Sequence, residues 1–316
     1  EDDPKAVRAK EAQYRALTVD NPAWARLKAA ADIWCAAFFA PLKPADARLV
    51  PTTETVRSAL EGHPPQGRTA VLVDAAREEV PFFHWPIEFP EVFAGGQAGF
   101  DVMLGNPPWE RIKLQEKEFF DARAPAIANA PNTAARHRRI EALNAPEASA
   151  EDMALYEAFH AAKHAAEAAS LFIRDCGRFP LTAVGDINTY AVFAETFMRL
   201  IAKTGRSGFI VPTGIATDHS YKAFFEEIST GARLVSLFDF ENRARVFPGI
   251  DSRIKFSLVT LSTKAPAAEY AFFLTGVKQL GDARRRFTLA PEDIALLNPN
   301  TRTCPVFRSE ADAELT

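Results

Sequence analysis

The chain has 316 residues, of which 47% are hydrophobic and 25% charged, and a net charge of −4. This is an ordinary soluble composition, with room for one large domain or two small ones. No apolar stretch is long enough to span a bilayer and no signal peptide is visible, and the scattered cysteines make a reducing cytoplasm the expected compartment. With an acidic balance, any nucleic-acid contact has to come from local basic patches.

Residues 1–82 read as mostly helical. Asn21 is placed to cap a helix with Pro22 at its first position. Trp24, Leu27, Ala31, Trp34 and Phe38 then form an apolar stripe at helical spacing, which reads as core. Thr53 to Leu60 reads as a short helix ended by Gly62. His63 to Gly67 is a loop, and Ala70 to Val73 a short strand. Cys35, Cys176 and Cys304 are far apart with no C-x-x-C pair, which argues against a zinc site or a disulfide framework.

Phe93 to Gly99 is glycine-containing but precedes a strand instead of following one, so it reads as a plain turn and not a cofactor loop. Phe100 to Gly105 is a short apolar run bounded by glycines and reads as a buried strand. Asn106, Pro107, Pro108 and Trp109 follow it. In an open α/β sheet, ligands sit outside the carboxyl ends of the strands. Asn106 offers a side-chain oxygen, and Pro107 a carbonyl on a backbone stiffened by two prolines. Two fixed acceptors side by side suit a planar –NH2 group, and Trp109 offers a flat face for the ring that carries it. Hydrogen bonds from both N–H groups would favour a more tetrahedral nitrogen, with its lone pair aimed at a methyl donor. This chemistry requires no metal or covalent nucleophile.

Asn-Pro-Pro-aromatic after a strand resembles motif IV of the amino-group methyltransferases that use S-adenosylmethionine. The flank Phe83-His84-Trp85-Pro86-Ile87-Glu88-Phe89-Pro90-Glu91-Val92-Phe93 sharpens this. It resembles the large adenine-specific DNA methylases of restriction–modification and phage-defence systems, the type IIG enzymes in particular. The resemblance runs from about Phe83 to the C-terminus. It implies an α/β fold, a partial Rossmann-like methyltransferase sheet with a helical insertion. It also implies S-adenosylmethionine as cofactor, DNA as partner, and restriction or defence subunits or domains nearby. On this reading residues 1–82 precede a catalytic half over 83–275, and 276–316 begin the connection to a target-recognition domain.

The insertion covers about 110–177. Asn132 to Leu143 is helical and carries Arg136, His137, Arg138 and Arg139. Ser149 and Asp152 resemble a capping box before a long alanine-rich helix. Leu155, Phe159, Ala162, Ala166, Ala169 and Phe172 give that helix a weak apolar face, and Gly177 ends it. His160 and His164 stand at i, i+4 but lack a third ligand, so they read as surface residues.

The α/β rhythm then resumes. A helix is expected from 188 to 204, with Tyr190, Phe193, Phe197, Leu200 and Ile201 on one face and Gly205 at its end. A buried strand follows over Ser207 to Val211. Asp218 is placed to cap a helix whose Tyr221, Phe224, Phe225 and Ile228 face the core. Leu234 to Phe240 is a further strand. Arg253 to Leu261 reads as an antiparallel or edge strand, with Tyr270 to Leu274 pairing beside it. Val246-Phe247-Pro248-Gly249 resembles motif VIII of the adenine methylases, which implies that Phe247 packs against the flipped base. Arg284, Arg285 and Arg286, with Arg136, Arg138 and Arg139, are candidate phosphate contacts. Pro291 to Asn298 reads as a helix.

The resemblance also implies a glycine-rich S-adenosylmethionine loop, motif I, before motif IV. None is present in this sequence. The chain begins at Glu1 without methionine and stops within 309–316, which reads as the start of a helix, so a fragment of a longer protein is expected. Two other readings stay open. One is a glutamine-amide or RNA-guanine methyltransferase with a similar quartet. The other is a non-catalytic DNA-binding module that keeps the fold.

Overall fold

The computed structural model describes residues 3–40, 44–93, 98–265 and 267–315. The turn expected at Ala94 to Gln97 lies outside the described residues. The chain divides into two compact units, Glu1–Glu91 with Lys113–Phe172, and Val92–Ile112 with Ile173–Thr316.

The first unit is helical. Asn21 accepts from the backbone N–H groups of Ala23 and Trp24 and starts the helix Pro22–Phe39. Its most buried line is Ala30, Ile33 and Ala36, which packs against Ala59 of Thr53–Leu60 and against Val73 and Ala76 of Gly67–Glu79. Small side chains let these helices approach closely. The tryptophan stripe lies beside this line, not on it, and Leu27 is 51% exposed. The strand expected at Ala70 to Val73 is instead part of the helix Gly67–Glu79. Val73 and Ala76, three apart, give it a buried helical face that outweighs the local β preference of its valines. A second cluster joins Phe120, Ile127, Ile140 and Phe159. Ser149 and Asp152 cap each other's backbone N–H reciprocally and start the long helix Ala150–Asp175.

The second unit holds a six-stranded mixed sheet with helices, an α/β architecture. Its strands are β1 (Phe100–Gly105), β2 (Ile201–Pro212), β3 (Leu234–Glu241), β4 (Lys255–Ser262), β5 (Ala268–Leu274) and β6 (Phe287–Leu289), in the order β1-β2-β4-β3-β5-β6. β1 runs parallel to β2, and β3 parallel to β5, while β4 is antiparallel to both neighbours. The carboxyl ends of β1, β2, β3 and β5 therefore share one end of the sheet, where β4 begins.

Several expectations change here. β1 is an end strand among the described residues, and Val102 and Leu104 are 62% and 78% exposed, so it is not a buried strand. The helix Thr189–Leu200 stops at Leu200, because Ile201 already pairs with Phe100. Gly205 lies instead in the irregular stretch between that pair and Val102–Arg206, and a Cβ on it would lie 2.4 Å from the Phe100 carbonyl oxygen. Asp218 makes no side-chain cap; the helix that buries Phe224, Phe225 and Ile228 is Lys222–Thr230. β4 is antiparallel, as expected, but interior and not at an edge, and β5 pairs with β3, not with β4. The helix Pro291–Leu297 forms where expected.

Candidate active site

Asn106 leaves the end of β1 directly. A Cβ at Gly105 would lie 2.8 Å from the Phe197 ring, so any side chain there would have to push that ring aside. Pro107 is buried, Asn106 and Pro108 are exposed, and Trp109 is half-buried. The quartet is anchored from a segment 80 residues away in sequence, by a group that sequence reasoning did not single out. Thr189 Oγ1 donates to the Pro108 carbonyl at 2.6 Å and accepts from the Glu110 N–H at 3.0 Å. The Thr189 N–H donates to the Glu110 carbonyl at 2.9 Å, and the Ile112 N–H to the Ile187 carbonyl at 3.0 Å. The backbone beyond the prolines is thereby paired, and the quartet enters and leaves on fixed supports.

The facing wall comes from the loop between β3 and β4. Phe247 meets Phe256 edge to face, with ring centroids 5.1 Å apart, and Phe256 stacks on Phe240 at 5.2 Å. Trp109, Ile210, Phe238 and Leu258 pack against the same apolar cluster. Together the quartet and the loop line a cavity of about 350 Å³, to which the quartet gives Asn106, Pro107, Pro108 and Trp109 and the loop gives Asn242, Phe247, Ile250 and Ile254. This volume is within the usual range for small-molecule pockets. The Trp109 indole Nε1 is buried and has no acceptor among the described residues. The cavity thus sets two polar residues, Asn106 and Asn242, among apolar walls suited to a flat ring.

The opposite face of the sheet, at the same end, carries a second cleft of about 370 Å³ that includes Thr213, Asp218, Asp239, Lys255 and Phe273. Asp239 is buried, and Ser257 Oγ donates to its Oδ1 at 3.2 Å, as does Thr213 Oγ1. Burial pushes this carboxyl above its ordinary range, against the pull of those hydroxyls and of Lys255. Phe273 has a left-handed backbone, with φ of 58°.

None of the six arginines lines the cavity, and most of them make local pairs. Arg136 lies 3.5 Å from Glu116, and Arg139 donates to the Ala126 carbonyl, while Arg138 is exposed. Arg284 lies 2.9 Å from Asp282, Arg285 lies 3.9 Å from it, and Arg286 lies 3.4 Å from Glu269. His160 packs on Tyr156, and His164 Nε2 meets the Phe39 carbonyl at 3.1 Å. Among the described residues no cluster of histidine, cysteine or carboxylate groups could hold a metal, and no helix is long and apolar enough to cross a membrane.

No curated protein matches the chain. Solved structures similar to it include the methyltransferase subunit of a type I restriction–modification system from Streptococcus thermophilus. That match has 12% identity and a TM-score of 0.32, and covers 43% of this chain and 34% of the other. The type IIG restriction endonuclease BpuSI is similar at 16% identity and a TM-score of 0.36, over 68% of this chain and 21% of that one. The ATP-dependent type ISP restriction–modification enzyme LlaBIII, bound to DNA, is similar at 9% identity and a TM-score of 0.31, over 72% of this chain and 14% of that one. The chain thus spans about a third or less of the length of each of these three. Residues 52–139, which include both the His84 flank and the Asn106–Trp109 quartet, match the Eco57I restriction-modification methylase family.

Proposed function

We propose that this chain is the acceptor half of an adenine-specific DNA methyltransferase of a restriction–modification or phage-defence protein, transferring methyl from S-adenosylmethionine to the exocyclic amine. The observation that carries the reading is the single cavity lined by Asn106, Pro107, Trp109 and Phe247 at the carboxyl end of the sheet. The family match over residues 52–139 supports methyl transfer in general. Adenine and DNA rest on the resemblance of the flank and of the Phe247 stretch.

The described residues do not include the glycine-rich turn that would cradle S-adenosylmethionine. Among the described residues no strand runs through a glycine-rich turn into a helix, and beside Asn106 the end strand exposes Val102 and Leu104. No residue is therefore assigned to the methyl donor.

On the acceptor side, the base leaves the duplex, as enzymes acting on a base require. It enters between Phe247 and the quartet. Asn106 Oδ1 and the Pro107 carbonyl accept the two N–H groups of the amine, and the apolar walls exclude water. Hydrogen bonding to the amine withdraws its lone pair from the ring and aims it outward. The side chains of Arg136, Arg138, Arg139 and Arg284 to Arg286 are assigned to phosphates.

The test is incubation of the full-length protein with DNA and S-adenosylmethionine carrying a labelled methyl group, followed by identification of the modified base. Labelled N6-methyladenine is expected. Label only in protein glutamine or RNA guanine would replace the substrate. Binding of both partners without transfer would leave a DNA-binding module.

A further inference from the structure

Asn242 is wholly buried at the end of β3, and its carboxamide is used on both sides. Its Nδ2 donates to the carbonyls of Phe247 at 2.9 Å and Ile250 at 3.0 Å, with Asp251 at 3.4 Å. Its Oδ1 accepts from the Phe247 N–H at 3.0 Å. The main chain of the same residue closes the loop further: its N–H donates to the Ile254 carbonyl at 2.9 Å, and its carbonyl accepts from Arg245 at 2.8 Å. One residue therefore ties the backbone of a loop whose only regular element is the turn Asn242–Ala244. Arg245 takes a left-handed backbone, with φ of 54°, to make this path.

That loop supplies Phe247, Ile250 and Ile254 to the cavity, which Asn242 itself also lines. Pro248, Gly249 and Ile250 are exposed, so packing alone does little to hold it. Asparagine is suited to this place by its chemistry. Only a carboxamide presents donors and an acceptor at this length, aspartate would set a carboxylate against carbonyl oxygens, and glutamine would overshoot.

We propose that Asn242 is the positioning residue for the aromatic wall of the base pocket, acting through Phe247. The proposal rests on the reading that this cavity takes an extruded adenine. The test uses the full-length protein and DNA with 2-aminopurine at the target position, whose fluorescence rises when the base is unstacked. Amide exchange of the loop is followed in the protein without DNA.

In Asn242→Ala the Phe247 amide should lose its protection. The value of kcat/KM should fall roughly 5- to 150-fold, the worth of one base–aromatic stacking interaction. In a Phe247→Ala background the same change should add little, because both substitutions remove the same interaction. Asn242→Asp, of equal size, is the second variant. Protonation restores a donor, so its kcat/KM relative to the parent should recover as the pH falls.

Retained protection of the Phe247 amide, or additive losses in the double variant, would overturn the positioning role. Absence of base extrusion and of methyl transfer in the parent would instead overturn the reading of the pocket. The exchange measurement would still decide whether Asn242 holds the loop.

Discussion

His84 Nε2 lies 2.8 Å from Oδ1 of Asp32, which precedes it by 52 residues, and both side chains are almost wholly buried. Lys28 Nζ meets the same oxygen at 2.6 Å, and Arg77 Nε lies 3.0 Å from Oδ2, an ion pair without hydrogen-bond geometry. A few residues on, the Ile87 carbonyl accepts from Trp24 Nε1 at 2.8 Å. The flank that precedes the quartet is thus an anchor on the helix Pro22–Phe39.

Removing the Asp32 carboxylate takes the partner from the buried His84 ring and leaves Lys28 only the Phe82 carbonyl and Arg77 only Asp74. Asp32→Ala should destabilise the first unit by roughly 3–5 kcal/mol, the typical cost of breaking a buried pair, read as a lower denaturant midpoint. Burial raises the Asp32 carboxyl, but hydrogen bonds from His84 and Lys28 and the charges of Lys28 and Arg77 outweigh it, so its pKa is lowered. The stabilisation is then complete above the unfolded carboxyl value of about 3.9 and is lost as pH falls through the folded value. The parent's advantage over Asp32→Asn should therefore shrink below about pH 4. An advantage constant down to pH 2 would contradict this.

Asp239 has the opposite sign. Burial raises its carboxyl despite Thr213, Ser257 and Lys255. The folded state then disfavours the ionised form, and stability is lost as pH rises from the unfolded value through the folded one. Asp239→Asn keeps an acceptor for the two hydroxyls and removes that loss. The melting temperature of the variant relative to the parent should be higher at pH 7 than at pH 3. A relative melting temperature that falls with rising pH would reverse the assignment.

The quartet's strand was legible because its run is short, apolar and bounded by glycines, and Gly105 has a steric reason in the Phe197 ring. Its exposure was not legible, since Val102 and Leu104 look like core residues until the sheet order places β1 at an end. That order was hidden for the same reason: the insertion of β4 between β2 and β3 is a long-range pairing that no local pattern encodes. At 70–73 the valines suggested a strand, and only the buried Val73–Ala76 face of the assembled helices decides otherwise. Phe247 was found through a resembled motif. Thr189 and the role of Asn242 were not, because a polar residue beside a strand or helix end usually does no more than cap it.

Neutralising phosphates makes binding depend on salt. In the full-length protein, alanine at Arg136, Arg138 and Arg139, or at Arg284 to Arg286, should flatten the plot of log affinity against log salt. The slope should fall by about 0.9 for each phosphate left without its arginine. On the proposed role, Arg136, Arg284 and Arg286 would exchange Glu116, Asp282 and Glu269 for phosphates. Unchanged slopes for both sets would remove these residues from the interface.

Thr189 gives a test of the quartet's support that spares its surface. Thr189→Val is nearly isosteric and deletes the hydroxyl that bridges the Pro108 carbonyl and the Glu110 N–H. Displacement of a reacting group by about 1 Å can cost on the order of 100-fold in rate. The turnover number should therefore fall while DNA affinity holds. A loss of affinity at constant turnover would place Thr189 in DNA binding instead.

Asn106 is the residue on which the acceptor geometry turns. It is exposed and, with Asn242, is one of two polar residues in an otherwise apolar lining, so its removal disturbs little packing. Asn106→Ala should lower the methylation rate on the order of 100-fold or more, as removal of one preorganised hydrogen-bonding group does. DNA binding should change far less, because on the proposed role Asn106 acts on the reacting amine and matters most in the transition state. Trp109 behaves differently. Its ring lines the same cavity and packs against the Phe240 and Phe256 cluster. Trp109→Ala therefore removes both a face for the base, worth roughly 1–3 kcal/mol, and part of the wall. Trp109→Phe keeps a flat ring and should be milder. The measurements are single-turnover methyl transfer and equilibrium DNA binding, made side by side on each variant. A parental rate in Asn106→Ala would refute the acceptor role. Equal losses of rate and binding would make Asn106 an ordinary binding residue for the base.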